Sequence, residues 1–287
     1  MEFLYTPFTN EAVLQRAFAA ALAISVAGAP LGVLLNLRRM SLSGDVYTHT
    51  LLPGVAIAFL LAGESLTAMI VGGLISGLIA AYLSGLIART TILKEDATLA
   101  AFYMISLALG VILLAGDGDG EDLMHVLFGN AFELAKANLL VISAISTATL
   151  FVLAITYRVL IAESYDPGFF SSVGGSGTTA HMLFITLVIL NLVIGATALG
   201  TIMAVGLMTL PGATARFWSK DLGATMLIAI LIAAISSFIG LLGAYHQGLP
   251  PGPTIILVAG VFYIGSILFG REGGLVSRFS KVPHLES

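Results

Sequence analysis

The chain has 287 residues, of which 58% are hydrophobic and only 10% are charged, and its mean hydropathy is +1.03. Soluble domains carry about 25% charged residues, so this composition excludes a soluble protein and indicates an all-α polytopic membrane protein. The net charge of −4 gives no support for a nucleic-acid partner, and the absence of cysteine excludes disulfides and thiolate metal sites.

Apolar stretches of about 20 residues, the length that crosses a bilayer, occupy most of the chain. In chain order we predict about nine transmembrane helices, at 13–36, 45–62, 66–88, 95–115, 136–158, 180–199, 200–217, 222–244 and 252–270. The number falls to eight if 45–62 or 200–217 does not cross fully. We expect a single transmembrane domain over residues 1–275, with an inner loop at about 160–180, and a cytoplasmic tail over 276–287.

The basic residues predict the orientation of this bundle, because cytoplasmic loops of membrane proteins are enriched in lysine and arginine. If nine spans begin outside, only Arg16 and Lys136 of the 12 basic residues lie on the outer side. The other ten lie at inner helix ends and loops: Arg38, Arg39, Arg89, Lys94, Arg158, Arg216, Lys220, Arg271, Arg278 and Lys281. We therefore predict an N-terminus outside and a cytoplasmic C-terminus. A count of eight would weaken this predicted orientation.

The second predicted span carries two polar side chains, Asp45 and His49, in an otherwise apolar setting. A helical spacing of four places both on one face, and a carboxylate and an imidazole are groups that divalent transition metals accept as ligands. Such groups are costly inside a membrane and need a functional or pairing reason. The pattern predicts a metal-ligating pair. The alternative is structural: Asp45 caps the helix, and His49 bonds a backbone carbonyl.

The outer loop that follows the fourth span is acidic and glycine-rich, and it includes Asp117 and Asp119. Such a cluster can attract cations, although an ordinary solvated loop is the simpler interpretation. His125 follows this loop, and His246 also lies on the predicted outer side. All four residues are weak candidates for metal contact, and interfacial histidines with ordinary hydrogen bonds are the alternative for the last two.

The inner loop between the fifth and sixth spans has the pattern of a short helix. Asp166 suits an N-cap, and Pro167 suits the first helical position, where its missing N–H is not needed. Gly174, or the glycine after it, can end the helix in the left-handed conformation. Phe169 and Phe170 would then form a pair of exposed aromatic rings, which is typical of a protein-docking surface. The alternative places both rings among lipid headgroups.

A nucleotide site of the common kind is absent. A phosphate-binding P-loop needs Gly-Lys followed by Ser or Thr, and none of the four lysines is preceded by glycine. We therefore expect no ATP hydrolysis by that route, and no enzyme activity, in this chain.

Several motifs resemble those of the membrane permease subunits of zinc/manganese/iron-type ABC importers. The most specific is Arg38-Arg39-Met40-Ser41-Leu42-x-Gly44-Asp45-x-x-x-His49-x-x-Leu52-Pro53-Gly54-Val55-Ala56. Weaker motifs agree with it in chain order: Leu127-Phe128-Gly129, Asp166-Pro167-x-Phe169 followed by Gly174, Gly200 through Gly206 to Pro211-Gly212-Ala213-Thr214-Ala215-Arg216, and Pro251-Gly252-Pro253-Thr254-Ile255. Together they cover about residues 30–260. Phe170 departs from the family, in which a small residue is usual.

This resemblance implies a homodimer of permeases in the bacterial inner membrane, with cytoplasmic ABC ATPase subunits and an extracytoplasmic metal-binding protein as partners. Asp45 and His49 would carry over as metal ligands. The residues that would carry over to the ATPase-coupling helix are Asp166, Pro167, Phe169, Phe170 and Gly174. No permanently bound cofactor is implied, only a transported manganese, zinc or iron ion moved by alternating access. Oxygen and nitrogen ligands without cysteine do not separate these three metals.

Two other transport functions remain open on the sequence alone. A siderophore or corrinoid ABC permease would share the architecture without needing the Asp45–His49 pair. A secondary cation/proton exchanger could use Asp45 as its proton carrier. An intramembrane metalloenzyme would require a fuller ligand set such as His-Glu-x-x-His, and the sequence has none.

Overall fold

The computed structural model describes residues 11–63, 65–115 and 134–276. In these ranges every regular element is a helix, which confirms the all-α prediction. The helices are α1 (Ala12–Leu37), α2 (Ser43–Thr50), α3 (Leu52–Ala62), α4 (Leu66–Thr90), α5 (Glu95–Ala115), α6 (Lys136–Tyr165), α7 (Pro167–Ser172), α8 (Gly177–Leu199), α9 (Thr201–Ala215), α10 (Leu222–Gln247) and α11 (Pro251–Phe269).

Eight apolar segments in the described ranges are long enough to cross a membrane, and α2 and α3 together form one of them, Ser43–Ala62. The span predicted at 200–217 is the shorter helix α9. Its 15 residues are about 22 Å long at the helical rise of 1.5 Å per residue, less than the hydrocarbon core of about 30 Å. The count of eight that was left open is therefore the one that the helix lengths support.

Although short, α9 runs back along α8. The chain reverses at Gly200, whose φ of 96° lies in the region that glycine adopts without strain. Just beyond the reversal the two helices touch: a Cβ added to Gly195 of α8 would lie 2.6 Å from the Cβ of Ala204 in α9. Within the described ranges the backbone therefore makes nine passes along the bundle, eight of which have full membrane length.

The core lies where α1, α8 and α9 meet. A Cβ added to Gly32 of α1 would lie 1.7 Å from the carbonyl oxygen of Met208 in α9, and one added to Gly28 would lie 2.6 Å from the side-chain oxygen of Asn191 in α8. Lipid is as apolar as these side chains, so close backbone packing holds membrane helices together where the hydrophobic effect cannot. Gly28 and Gly32 thus have a packing role and carry no chemistry.

One end of the bundle holds Arg38, Arg216 and Lys220, and we call it the basic end. Here Arg38, after α1, contacts His181 near the start of α8, and Arg216, after α9, donates to the carbonyl oxygen of Asn36. The segment after α11 reaches the same end, because the N–H of Glu272 bonds the carbonyl oxygen of Phe217. The start of α1 and the end of α11 therefore lie at opposite ends of the bundle.

Candidate functional site

Asp45 and His49 lie on one face of α2, as their spacing predicts. His49 Nε2 is 3.9 Å from Asp45 Oδ1, and the two side chains are 22% and 64% exposed respectively. Two donor atoms that share one ion at bonds near 2.1 Å can be at most about 4.2 Å apart. The observed separation fits under that limit, and rotation of the exposed carboxylate can shorten it. The pair can therefore hold a divalent cation, although ligation by these residues stays a prediction.

The structural alternative for this pair finds no support in the geometry. Leu42 occupies the N-cap position of α2, and Asp45 lies inside the first turn, where it makes no capping hydrogen bond. His49 Nδ1 is buried and has no hydrogen-bond partner among the described residues. A buried ring nitrogen without a partner is costly, so packing alone does not explain the presence of a histidine at this position.

A neighbouring ring fixes the orientation of His49. Tyr103 of α5 packs edge to face against the imidazole, with ring centroids 5.0 Å apart and an interplanar angle of 72°. An aromatic contact of this kind restricts ring rotation and leaves Nε2 turned toward Asp45. Tyr103 thus packs beside the candidate site. No sequence pattern indicated it, because it lies on a different helix and belongs to no motif.

The pair lies just before a break in its span. Pro53 has no N–H, so the helical ladder is interrupted between α2 and α3. Close to this interruption, the carbonyl of the buried Thr50 accepts a hydrogen bond of 2.7 Å from Ser76 Oγ of α4. Discontinuous helices are common at the ion sites of transporters, because broken backbone is tolerated in the membrane only where other groups satisfy it.

The predicted short helix of the inner loop is confirmed as α7. Asp166 caps it, with Oδ1 accepting from the Phe169 N–H at 2.8 Å. Pro167 is at its first turn, and Gly174 takes the left-handed conformation with φ of 85°. The two rings differ from expectation: Phe169 is 62% exposed, whereas Phe170 folds over Gly175, where an added Cβ would lie 2.5 Å from the ring. Of these two rings, Phe169 is the exposed one and Phe170 is partly buried.

A buried polar cluster next to α7 was not predicted from the sequence. The side chain of Arg38 is only 6% exposed and forms an ion pair with Glu163, which is 12% exposed. Its guanidinium also donates to Ser164 Oγ at 2.9 Å and lies 4.2 Å from the ring centroid of Phe184. Burial lowers the pKa of Arg38, and the charge of Glu163 opposes that shift. The one available signal was an acidic residue at the end of an apolar helix.

The remaining candidates do not join the pair in α2. His246 lies in the last turn of α10 with its ring 5.6 Å from that of Tyr245. Asp117, Asp119, His125 and the Leu127-Phe128-Gly129 motif lie outside the described residues. Within the described ranges, no three His, Asp or Glu side chains come together in a way that could enclose a metal ion. Asp45 and His49 therefore form a partial ligand set in one copy of the chain.

Comparison with known proteins agrees with this architecture. Residues 10–270 match the ABC 3 transport family. The manganese import system permease protein ScaB of Streptococcus parasanguinis is 32% identical over 259 residues, covering 90% of this chain and 91% of that protein. The manganese transport system membrane protein MntC of Halalkalibacterium halodurans is 28% identical over 280 residues, covering 97% and 94%.

Solved structures give the same result. PsaBC from Streptococcus pneumoniae in complex with Fab superposes with a TM-score of 0.87 at 27% identity, covering 97% of this chain and 99% of that one. An inward-facing putative metal-chelate type ABC transporter matches with a TM-score of 0.74 at 16% identity and supports the fold alone. The expected multi-pass location in the bacterial plasma membrane is confirmed. The chain belongs to the ABC 3 transport family, as a membrane permease subunit that is not itself an enzyme.

Proposed function

We propose that this permease imports a divalent transition metal, with manganese as its main cargo, in an ATP-driven complex. The observation that carries the proposal is the Asp45–His49 pair, whose oxygen and nitrogen atoms lie 3.9 Å apart beside a break in a membrane span. Carboxylate ligands suit manganese, and imidazole suits zinc and iron as well. The manganese systems named among the relatives favour the first of these metals.

The partial ligand set favours a homodimer of permeases. One copy offers two side chains, and a second copy facing it would raise the number of ligands to four. The 64% exposure of Asp45 leaves its carboxylate open to such a partner. A transport site must also release its ion, so a shell assembled between two movable subunits suits transport better than a closed structural site.

The basic end is proposed to face the cytoplasm, with the start of α1 outside. Arginine and lysine collect at this end, in agreement with the enrichment of these residues in cytoplasmic loops. The helix α7 lies in the same part of the molecule, because it follows α6 directly after Glu163 and Ser164. This orientation presents α7 to cytoplasmic ABC ATPase subunits and leaves the opposite end to an extracytoplasmic metal-binding protein.

Membership of the ABC 3 family argues against the exchanger interpretation, because ABC transporters take their energy from ATP hydrolysed by a separate subunit. The siderophore or corrinoid interpretation has only a fold-level likeness in its favour, and it leaves the Asp45–His49 pair without a role. We therefore retain import of a metal ion as the function.

The cargo is tested by metal content, measured element by element. Cells that lack the gene are expected to lose manganese relative to the parent strain in metal-limited medium, and the wild-type gene should restore it. Iron and zinc contents serve as internal controls in the same digest. A loss confined to zinc or iron would replace manganese as the cargo, and unchanged levels of all three would contradict metal import.

The role of α7 is tested by Phe169→Ala. Removing the exposed ring deletes apolar docking area without opening a cavity, so we expect ATPase co-purification to fall about tenfold or more while the permease accumulates normally. Phe151→Ala is the matched control, since Phe151 is 68% exposed on the membrane span α6. ATPase recovery equal to that of the control would place the Phe169 ring in the lipid headgroups.

A further inference from the structure

We propose that Arg38 is a positioning residue that transmits movement of α7 to the helix that carries Asp45 and His49. The inference rests on the proposed function, since it assumes that α7 contacts an ATPase and that α2 carries the metal. It assigns to Arg38 a role that its charge at a helix end does not suggest.

The side chain of Arg38 contacts the ends of two helices, α6 and α8. The guanidinium of Arg38 pairs with Glu163 and donates to Ser164 Oγ at 2.9 Å and to the Leu160 carbonyl at 3.4 Å, all in the last two turns of α6. Its other edge lies 3.4 Å from His181 Nδ1 in the first turns of α8. Arginine alone offers a planar fork with enough donors for such an arrangement.

These two helix ends lie on either side of α7 in the chain. α6 ends at Tyr165, α7 runs from Pro167 to Ser172, and α8 begins at Gly177, so the helices that Arg38 joins are the two that hold α7. The helix α7 packs mainly against these two neighbours. A rigid-body push on α7 must therefore move the ends of α6 and α8, and with them the groups that hold the guanidinium.

A short turn of backbone connects Arg38 to α2, the helix that carries Asp45 and His49. α1 ends in a Schellman motif: the Arg39 N–H bonds the Asn36 carbonyl at 3.2 Å, and the Met40 N–H bonds the Leu35 carbonyl at 2.9 Å. Arg39 has a φ of 60°, in the left-handed region usually occupied by glycine in this motif. The Ser43 N–H then bonds the Met40 carbonyl at 3.0 Å, so backbone hydrogen bonds connect the end of α1 to Ser43, where α2 begins.

Because the cluster around Arg38 is buried, the connection that it makes between α1, α6 and α8 is stiff. Separating Arg38 from Glu163 would leave a charge unpaired in a site that is 6% and 12% exposed, which is strongly unfavourable. The guanidinium also packs over the ring of Phe184 at 4.2 Å, so it is held from a third direction. The ends of α6, α8 and α1 therefore move as one unit, and α2 moves with them.

The test uses the permease co-expressed with its ATPase and reconstituted in proteoliposomes, with manganese as the probe. Arg38→Lys keeps the charge but loses the fork, and we expect the metal moved per ATP hydrolysed to fall roughly tenfold, with the KM for manganese and ATPase co-purification retained. Arg39→Lys is the matched control, because Arg39 is the exposed neighbour, and it should transport at the wild-type ratio.

A second pair of variants guards against a purely structural effect. Glu163→Gln should also lower the transport ratio, and the exchange Arg38→Glu with Glu163→Arg should recover part of it, because the pair is restored in reverse. A wild-type ratio in both Arg38→Lys and Glu163→Gln would overturn the inference. So would a proportional fall of ATPase rate and uptake in both, since that pattern indicates lost assembly. Wild-type proteoliposomes that move no manganese, zinc or iron would instead contradict the proposed function.

Discussion

Asp45→Asn is expected to abolish uptake of divalent metal while the permease still accumulates in the membrane. Asparagine keeps the shape and one oxygen of aspartate but removes the negative charge that offsets the cost of dehydrating the cation. Loss of a charged ligand should lower uptake at limiting metal by roughly a hundredfold or more, beyond the 10- to 100-fold cost of losing a group that only supports a ligand. Uptake of radiolabelled manganese, normalised to permease in the membrane, measures the effect.

Asp221→Asn is the matched control for this substitution. Asp221 is a true N-cap, whose Oδ2 accepts a 2.7 Å hydrogen bond from the Ala224 N–H at the start of α10. Asparagine and aspartate cap helices about equally well, so this variant should accumulate and transport like the wild type. If Asp45→Asn behaved like Asp221→Asn, the Asp45 carboxylate would have no part in metal transport.

The membrane spans were predictable because each is a run of apolar residues close to the length of a bilayer crossing. The exception was the segment from 200 to 217, where the chain reverses at Gly200 and the following helix α9 has only 15 residues. Composition alone does not show where a helix turns back inside a bundle. The position of this reversal depends on the close fit of Gly195 against Ala204, which is a contact between two helices.

The placement of Asp45 and His49 on one face of α2 was predictable, because residues four apart lie on the same side of an α-helix. The same holds for α7, whose cap at Asp166 and left-handed Gly174 follow from local hydrogen bonding and backbone preference. The partial burial of Phe170 was not predictable, because it depends on the chain folding back so that Gly175 meets the ring. Local sequence patterns thus predicted these helices. They did not predict the exposure of Phe170, because that depends on the chain folding back over the ring.

The buried cluster at the basic end shows the limit of charge-based reasoning. Counting positive residues treats Arg38 as a solvated surface charge, whereas its side chain is 6% exposed. Its partners lie far along the sequence, with Ser164 126 residues away and His181 143 residues away. Only the assembled bundle brings α1, α6 and α8 together, so no window of sequence could indicate this pairing.

His49→Cys probes the central claim through the identity of the ligand. The chain contains no cysteine, so the variant has a single thiol, placed at the position of the imidazole. Thiolate is a soft ligand that favours zinc over manganese. If the ion contacts residue 49 on its way through the permease, this change should alter which metal is carried, and it should do so in a direction that loss of packing does not produce.

The most direct measurement is therefore the ratio of zinc to manganese uptake by His49→Cys proteoliposomes, together with the rate at which an impermeant reagent labels the introduced thiol. We expect the zinc-to-manganese ratio to rise severalfold over the wild type, and zinc to protect the thiol from labelling. A wild-type ratio, with labelling at the same rate in the presence and absence of zinc, would contradict the claim that the metal passes by Asp45 and His49.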